Sequence, residues 1–272
     1  MNNTKIRANM HNEEFYIKKF LDPLKVCEKY KPKFGKGTHK EGLDLDQFIS
    51  LYNADPFYSW CGLNSNLMYS AHKAAGGITS IYRQIGKGCE NLFKEILFSS
   101  LEYRERIFVE WSYKSLTKAG KEKTLSLDGR IFFSEIRNSA VKQKVINWTQ
   151  EYCEIIKAKF PNNGIVFEVR QGYKSKDSKR QNGDIDNIAV AWSQDYLPVF
   201  AIFSGQIDNE LVLRYKNSRG GVIVGNLSSS PYESLFIFCK EILNYDLEGF
   251  FCRNTSFIKK EMHHTLEALL DA

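Results

Sequence analysis

The run Gly164-Ile-Val-Phe-Glu-Val-Arg170 places one carboxylate, Glu168, inside an otherwise apolar stretch. Five cations then fall within residues 170 to 180: Arg170, Lys174, Lys176, Lys179 and Arg180. A carboxylate on a core strand is costly to bury unless a metal ion or a nearby cation pairs with it. Asp128 closes an earlier apolar segment, Thr124-Leu-Ser-Leu-Asp128, and Gly129 follows it. Two carboxylates brought together from neighbouring strands hold Mg²⁺, which polarises a phosphate and lowers the pKa of a bound water. A cation beside them stabilises the charge that develops on phosphorus. Arg170 lies two positions after Glu168, so on a strand both side chains share a face. Arg170, Lys174 and Lys176 all stand open as the working cation. Plainer readings compete: Asp128 as a turn acid, Glu168 as a strand residue paired only with Arg170, and residues 170–180 as a solvated face balanced by Asp184 and Asp186. Glu110 with Lys114 four residues later is a rival pair.

The elements that must position these groups follow from periodicity. Residues 12–30 carry Ile17, Phe20, Leu21 and Leu24 at helical spacing, with a break expected at Pro23. A short helix over 44–52 starts at Asp44 or Asp46, and Asp55-Pro56 ends it. Residues 57–88 are aromatic and glycine-bearing and carry no clear element. A helix runs from Cys89 to about Leu101, with Glu90 in its first turn, where the helix dipole favours an acid. Strands are expected over 106–113 and 124–128, a helix over 134–159, and a strand over Ile165–Val169. A helix over 178–194 and an apolar strand over 197–203 follow. Residues 221–224 suit another strand, 230–248 a helix and Phe257–Ala272 a terminal helix. Strands separated by helices imply an α/β (α+β) fold, a mixed β-sheet flanked by helices. The expected organisation is a mainly helical arm over 1–87 and an α/β core over 88–272.

Composition sets the outer limits. The 272 residues are 43% hydrophobic and 14% aromatic, enough to bury a substantial core. No apolar run approaches the roughly 20 residues that span a bilayer. The N-terminus lacks the apolar stretch of a signal peptide, so a cytoplasmic protein is expected. The six cysteines include no Cys-x-x-Cys pair and the five histidines no His-Glu-x-x-His pattern, which disfavours zinc chemistry. Net charge is +6. The basic loop at residues 30–40, with Lys33 and Lys36, and the one at 170–180 are suited to neutralising phosphates. Gly86-Lys-Gly88 lacks P-loop spacing, although glycines before a helix admit a phosphate to backbone amides. Arg83 lies in an aromatic stretch suited to DNA contact. Gln181, Asn182 and Asn187 are polar groups able to read base edges.

The order of these elements resembles the PD-(D/E)xK nuclease core: a helix with Glu90, a strand ending in Asp128, a strand with Glu168-x-Arg170, and a following helix and strand. Arg170 stands where the motif has lysine, and Ser-Leu-Asp128 replaces Pro-Asp. The segments Thr79–Gly88, Phe167–Asn182 and Gln206-Ile-Asp208 look like a type II restriction endonuclease, of the ApaLI-like group. That resemblance implies Mg²⁺-dependent hydrolysis of double-stranded DNA at a specific sequence, with Asp128 and Glu168 on the metal and Glu90 assisting. It makes Arg170, Lys174 or Lys176 the catalytic cation and Lys33, Lys36, Arg83, Lys176, Lys179 and Arg180 DNA contacts. It also implies a homodimer and a cognate DNA methyltransferase in the same system. The rival expectations are a nucleic-acid-binding protein without chemistry and a repair or RNA nuclease on the same core.

Overall fold

A computed structural model describes residues 13–33, 42–116, 122–173, 178–228 and 230–270. Its strands are β1 (Trp111–Leu116), β2 (Glu122–Leu127), β3 (Gly129–Phe132), β4 (Gly164–Arg170), β5 (Tyr196–Ile202) and β6 (Gly221–Val224). Its helices are α1 (13–21), α2 (Leu45–Asn53), α3 (Pro56–Trp60), α4 (Asn66–Ser100), α5 (Ser139–Ile155), α6 (Ser178–Ser193), α7 (Asn209–Asn217), α8 (Leu235–Ile237) and α9 (Leu247–Leu270). Contacts divide the chain into one unit of residues up to Gly88 with those from Arg253 onward, and a second unit, Cys89–Cys252.

The second unit is a mixed sheet flanked by helices, as the alternating pattern implied. The strand order is β3-β4-β5-β6, with β3 antiparallel to β4 and the other pairs parallel. β5 is buried at every position, which is why it reads as an uninterrupted apolar run. On one face, Phe167 of β4 meets Phe93 of α4 and Phe238. On the other, Tyr173, Ile188, Phe200, Leu211 and Tyr215 form one cluster, and Trp111, Tyr113, Leu127, Val166 and Tyr196 another. Both outer edges of the sheet are closed by a tyrosine. The Tyr103 hydroxyl meets the N–H (2.6 Å) and C=O (3.3 Å) of Phe132 on β3. The Tyr152 hydroxyl meets the N–H (2.8 Å) and C=O (3.1 Å) of Val222 on β6. These contacts satisfy edge groups that would otherwise invite pairing with another chain.

In the first unit, the break at Pro23 appears as a 3-10 turn over Asp22–Lys29. Asp44 caps α2 in a capping box with Gln47, and α2 contributes Phe48 and Tyr52 to a cluster with Leu43 and Tyr69. Arg253 pairs with Glu13, its Nε 2.8 Å from Oε1.

Several expectations need correction. α4 begins at Asn66, not near Cys89, and runs straight through its glycines. A Cβ at Gly88 would stand 2.1 Å from the Phe20 carbonyl oxygen, so that glycine marks a close approach and not a loop. Glu90 is therefore interior to a helix, with no helix-dipole advantage, and Gly86-Lys-Gly88 has no free helix start to offer a phosphate. The strand expected over 106–113 begins only at Trp111. Arg106–Val109 is a 3-10 turn, whose Ile107 and Phe108 carbonyls accept from Arg130. β2 pairs with β1 as a separate two-stranded hairpin, and Asp128 lies just past its end. β4 lies between β5 and β3, and β3, the neighbour on the Asp128 side, was not assigned from the sequence. Residues 133–135 form a 3-10 turn, so the helix expected from 134 starts at Ser139. Asp208 caps α7, another unassigned element. The helix expected over 230–248 is confined to α8 and a π-helical turn over Phe238–Ile242, and Asn244, with a φ of 56°, turns the chain just beyond. Asp246 then caps α9 by accepting from Gly249 N.

Candidate active site at the edge of the sheet

β3 pairs with β4 through Gly129 opposite Phe167, and one further step in that register sets Asp128 across from Glu168. β3 stops there, which leaves the next N–H groups of β4 without a strand partner. The Asp128 side chain takes over: its Oδ2 accepts from Val169 N at 2.9 Å, while its own N–H donates to Phe167 O at 2.7 Å. The aspartate is thus pinned to β4 on either side of Glu168. Gly164 makes this register possible. Its φ is +142°, and a Cβ there would stand 1.9 Å from the Ile131 carbonyl oxygen of β3.

Burial pushes the Asp128 carboxyl up to about 7, with the nearby charges of Glu168 and then Glu90 adding to the rise. The hydrogen bond from Val169 and the charge of Lys94 act in the opposite direction. Glu168 is also raised, first by burial, and Arg170 works against that rise. Asp128 is therefore the shared member of an acidic row, with Glu168 acting on it from β4 and Glu90 from α4. Glu90 carries its own cation, with Lys94 Nζ 2.8 Å from Oε1.

Arg170 is occupied. Its Nε and Nη2 donate to Glu168 Oε1 at 3.2 and 3.0 Å, and Nη1 and Nη2 donate to Asp184 at 2.9 and 2.6 Å. Tyr215 donates to the same Asp184, and the Tyr173 hydroxyl lies 3.3 Å from it. Arg170 and Asp184 are both buried. This fixes Glu168 Oε1, while no donor among the described residues meets Glu168 Oε2 or Asp128 Oδ1.

A cleft of about 690 Å³ opens beside Asp128, and Glu90, Lys94, Glu110, Trp111, Ser126 and Arg130 help to line it. Among the described residues, no three His, Cys, Asp or Glu side chains form a metal-holding group. Mg²⁺ commonly takes only one or two carboxylates and fills its remaining positions with water and substrate phosphate. Asp128 and Glu168, crowded acids with one oxygen each that meets no donor among the described residues, fit that kind of site.

The other sequence candidates scatter. Lys174, Lys176 and Lys36 lie outside the described residues, as does the side chain of Lys179. Arg180 is exposed at the start of α6, with its guanidinium 5.9 Å from the Tyr173 ring centre, and its charge acts on Glu168. Arg83 and Lys33 are exposed and belong to the first unit. Gln181 and Asn182 accept from Arg214, and Asn187 accepts from Tyr113. Lys114 pairs with Glu122 and not with Glu110. Sequence reading missed Asp184 as the anchor of Arg170, and it missed Lys94. The Glu90–Lys94 spacing was the available signal, but i,i+4 pairs are common on solvated helix faces.

No protein-family model matches this chain, and neither a curated protein nor a solved structure is significantly similar to it.

Proposed function

We propose that this protein is a Mg²⁺-dependent endonuclease that hydrolyses phosphodiester bonds of double-stranded DNA, with Asp128 and Glu168 as the metal-holding pair. One observation carries the reading: Asp128 is pinned to β4 at Val169, opposite Glu168, with its carboxyl pushed up to about 7 beside a cleft. Such a cluster of like charges is relieved by a divalent cation. When bound, the ion would supply Lewis-acid polarisation of the phosphate and a more acidic water. Asp128 and Glu168 present the free oxygens, Arg170 keeps Glu168 from rotating, and Asp184 keeps Arg170 in place. Exposed cations such as Arg180 attract the backbone of the duplex. Restriction-type action on a symmetric sequence, by a cytoplasmic homodimer with a cognate methyltransferase in the same system, is the fuller form of this proposal. Among the described residues, no helix is long and apolar enough to cross a membrane.

The test is incubation of the protein with supercoiled plasmid in Mg²⁺ and in EDTA, beside Glu168→Gln and Asp128→Asn. Both replacements keep an acceptor for the neighbouring donor. Metal-dependent fragments with fixed ends, lost in both variants while duplex binding persists, support the reading. Salt-sensitive binding without cleavage by the wild type would replace it with a non-catalytic binder. Random nicking, or preference for RNA, would point to a repair or RNA nuclease.

A further inference from the structure

We propose that Lys94, on α4, is the catalytic cation of this site and donates hydrogen bonds to the scissile phosphate. The inference rests on the nuclease reading and goes beyond it, since the sequence leaves that role among Arg170, Lys174 and Lys176.

The geometry separates Lys94 from Arg170. Lys94 lines the cleft together with Glu90 and Asp128, whereas neither Arg170 nor Glu168 does, so the cleft reaches the acidic pair from the Asp128 side. The Lys94 side chain retains 26% exposure and that of Arg170 only 6%. Among the described residues, Lys94 has one ion-pair partner, Glu90 Oε1 at 2.8 Å. An ammonium carries three donors, so two remain for a ligand in the cleft. Arg170 meets two carboxylates at once and has its planar fork fixed by both. Moving it toward a substrate would strand buried Asp184 without its cation, a cost that a flexible lysine at the cleft wall does not incur. The charge of Lys94 also acts on Asp128, and both side chains line the same cleft.

In the reaction, a water oxygen bonds to phosphorus and one P–O ester bond breaks. The water's proton passes to solvent, and the departing oxygen takes a proton from solvent. Lys94 stays protonated throughout and donates to a non-bridging phosphate oxygen, where negative charge grows. Glu90 is a positioning residue: it holds the ammonium at the cleft wall.

The experiment compares wild type with Lys94→Ala, Lys94→Met and Lys94→Arg, using Glu168→Gln as a control. Plasmid cleavage in Mg²⁺ gives kcat and KM, and duplex affinity is measured in EDTA. Lys94→Met keeps the aliphatic stem and carries the test if Lys94→Ala fails to fold. The expected result is a fall in kcat of roughly a hundredfold or more for Ala and Met. KM and duplex affinity should stay within about threefold, because one phosphate donor among several contributes little to ground-state binding. Arg should recover part of the rate, a rescue that a purely structural role would not produce. Cleavage by Lys94→Met near the wild-type rate, with Glu168→Gln inactive, overturns the assignment of Lys94 and leaves the nuclease reading intact. A wild type that cuts nothing removes both.

Discussion

Arg170 and Asp184 form a two-pronged ion pair across β4 and α6, with Nη1–Oδ2 at 2.9 Å and Nη2–Oδ1 at 2.6 Å. Both side chains are almost fully buried, at 6% and 4% exposure. The pair lies against the rings of Tyr173 and Phe200, with the guanidinium carbon 4.8 and 5.6 Å from their centres. Arg170 is thus tied to an inward anchor, and its remaining reach goes to Glu168.

Removing one member of this pair leaves a buried charge without its partner. Asp184→Ala should lower unfolding free energy by about 3–5 kcal/mol, the usual cost of breaking a buried ion pair from one side. Arg170→Met combined with Asp184→Leu should lose clearly less than the sum of the two single changes, because neither charge is then stranded. Urea unfolding of wild type, the single variants and the double variant measures both quantities. Additive losses would mean that the two side chains do not depend on one another.

The Asp128 carboxyl gives a pH signature. Its pKa rises from 3.8 to about 7 on folding, chiefly through burial and then through Glu168 and Glu90. Between those values the unfolded chain has released the proton and the folded chain keeps it. Stability contributed by this group therefore falls as pH rises from about 4 to 7, and the penalty is complete above 7. Asp128→Asn keeps an acceptor for Val169 N and removes the charge. Each tenfold change in proton affinity between the folded and unfolded chain corresponds to about 1.4 kcal/mol. The variant should therefore gain more than about 1 kcal/mol at pH 8 and little at pH 4. Added Mg²⁺ should raise the melting temperature of the wild type at pH 8, and that of Asp128→Asn much less. Thermal unfolding across pH, with and without Mg²⁺, checks both statements. A variant less stable than wild type at pH 8 would contradict them.

What could be read from the sequence follows from how local each feature is. β4 and β5 announced themselves because burial on both faces leaves long apolar runs, and Glu168 was conspicuous as the one acid within them. Asp128 was noticed as the acid before a glycine, but its neighbouring strand was misassigned. β3 has only four residues, too few for alternation to show. α4 was missed over half its length because glycine opposes helix formation by about 1 kcal/mol each, and only packing partners such as Phe20 explain Gly88. The tie between Arg170 and Asp184 joins residues 14 apart in the chain, so charge balance was as far as the sequence could go. Lys94 reads as an ordinary i,i+4 partner of Glu90, and only tertiary placement turns it toward the cleft.

Arg180 stands exposed near Tyr173, and its charge reaches Glu168. If it contacts a DNA phosphate, Arg180→Ala should weaken duplex binding similarly for all sequences and reduce the slope of log affinity against log salt by about 1. The fold should be nearly unaffected, since the side chain is exposed. Fluorescence anisotropy at several salt concentrations measures the slope. An unchanged slope would exclude Arg180 as a phosphate contact.

Tyr152 tests whether the sheet depends on its closed edges. Its hydroxyl is the partner of both the N–H and the C=O of Val222, and the ring is fully buried. Tyr152→Phe keeps the ring and strands the two backbone groups away from water. An unsatisfied buried polar group costs about 1–3 kcal/mol, so the variant should lose at least about 1 kcal/mol in urea unfolding. Amide exchange should then quicken first at Val222, the outer strand position, before it quickens in β5. The partner tyrosine provides the comparison: Tyr103→Phe should quicken exchange at Phe132, on the opposite edge, and leave Val222 protected. If either variant speeds exchange uniformly, its hydroxyl supports the whole sheet and does not close a single edge.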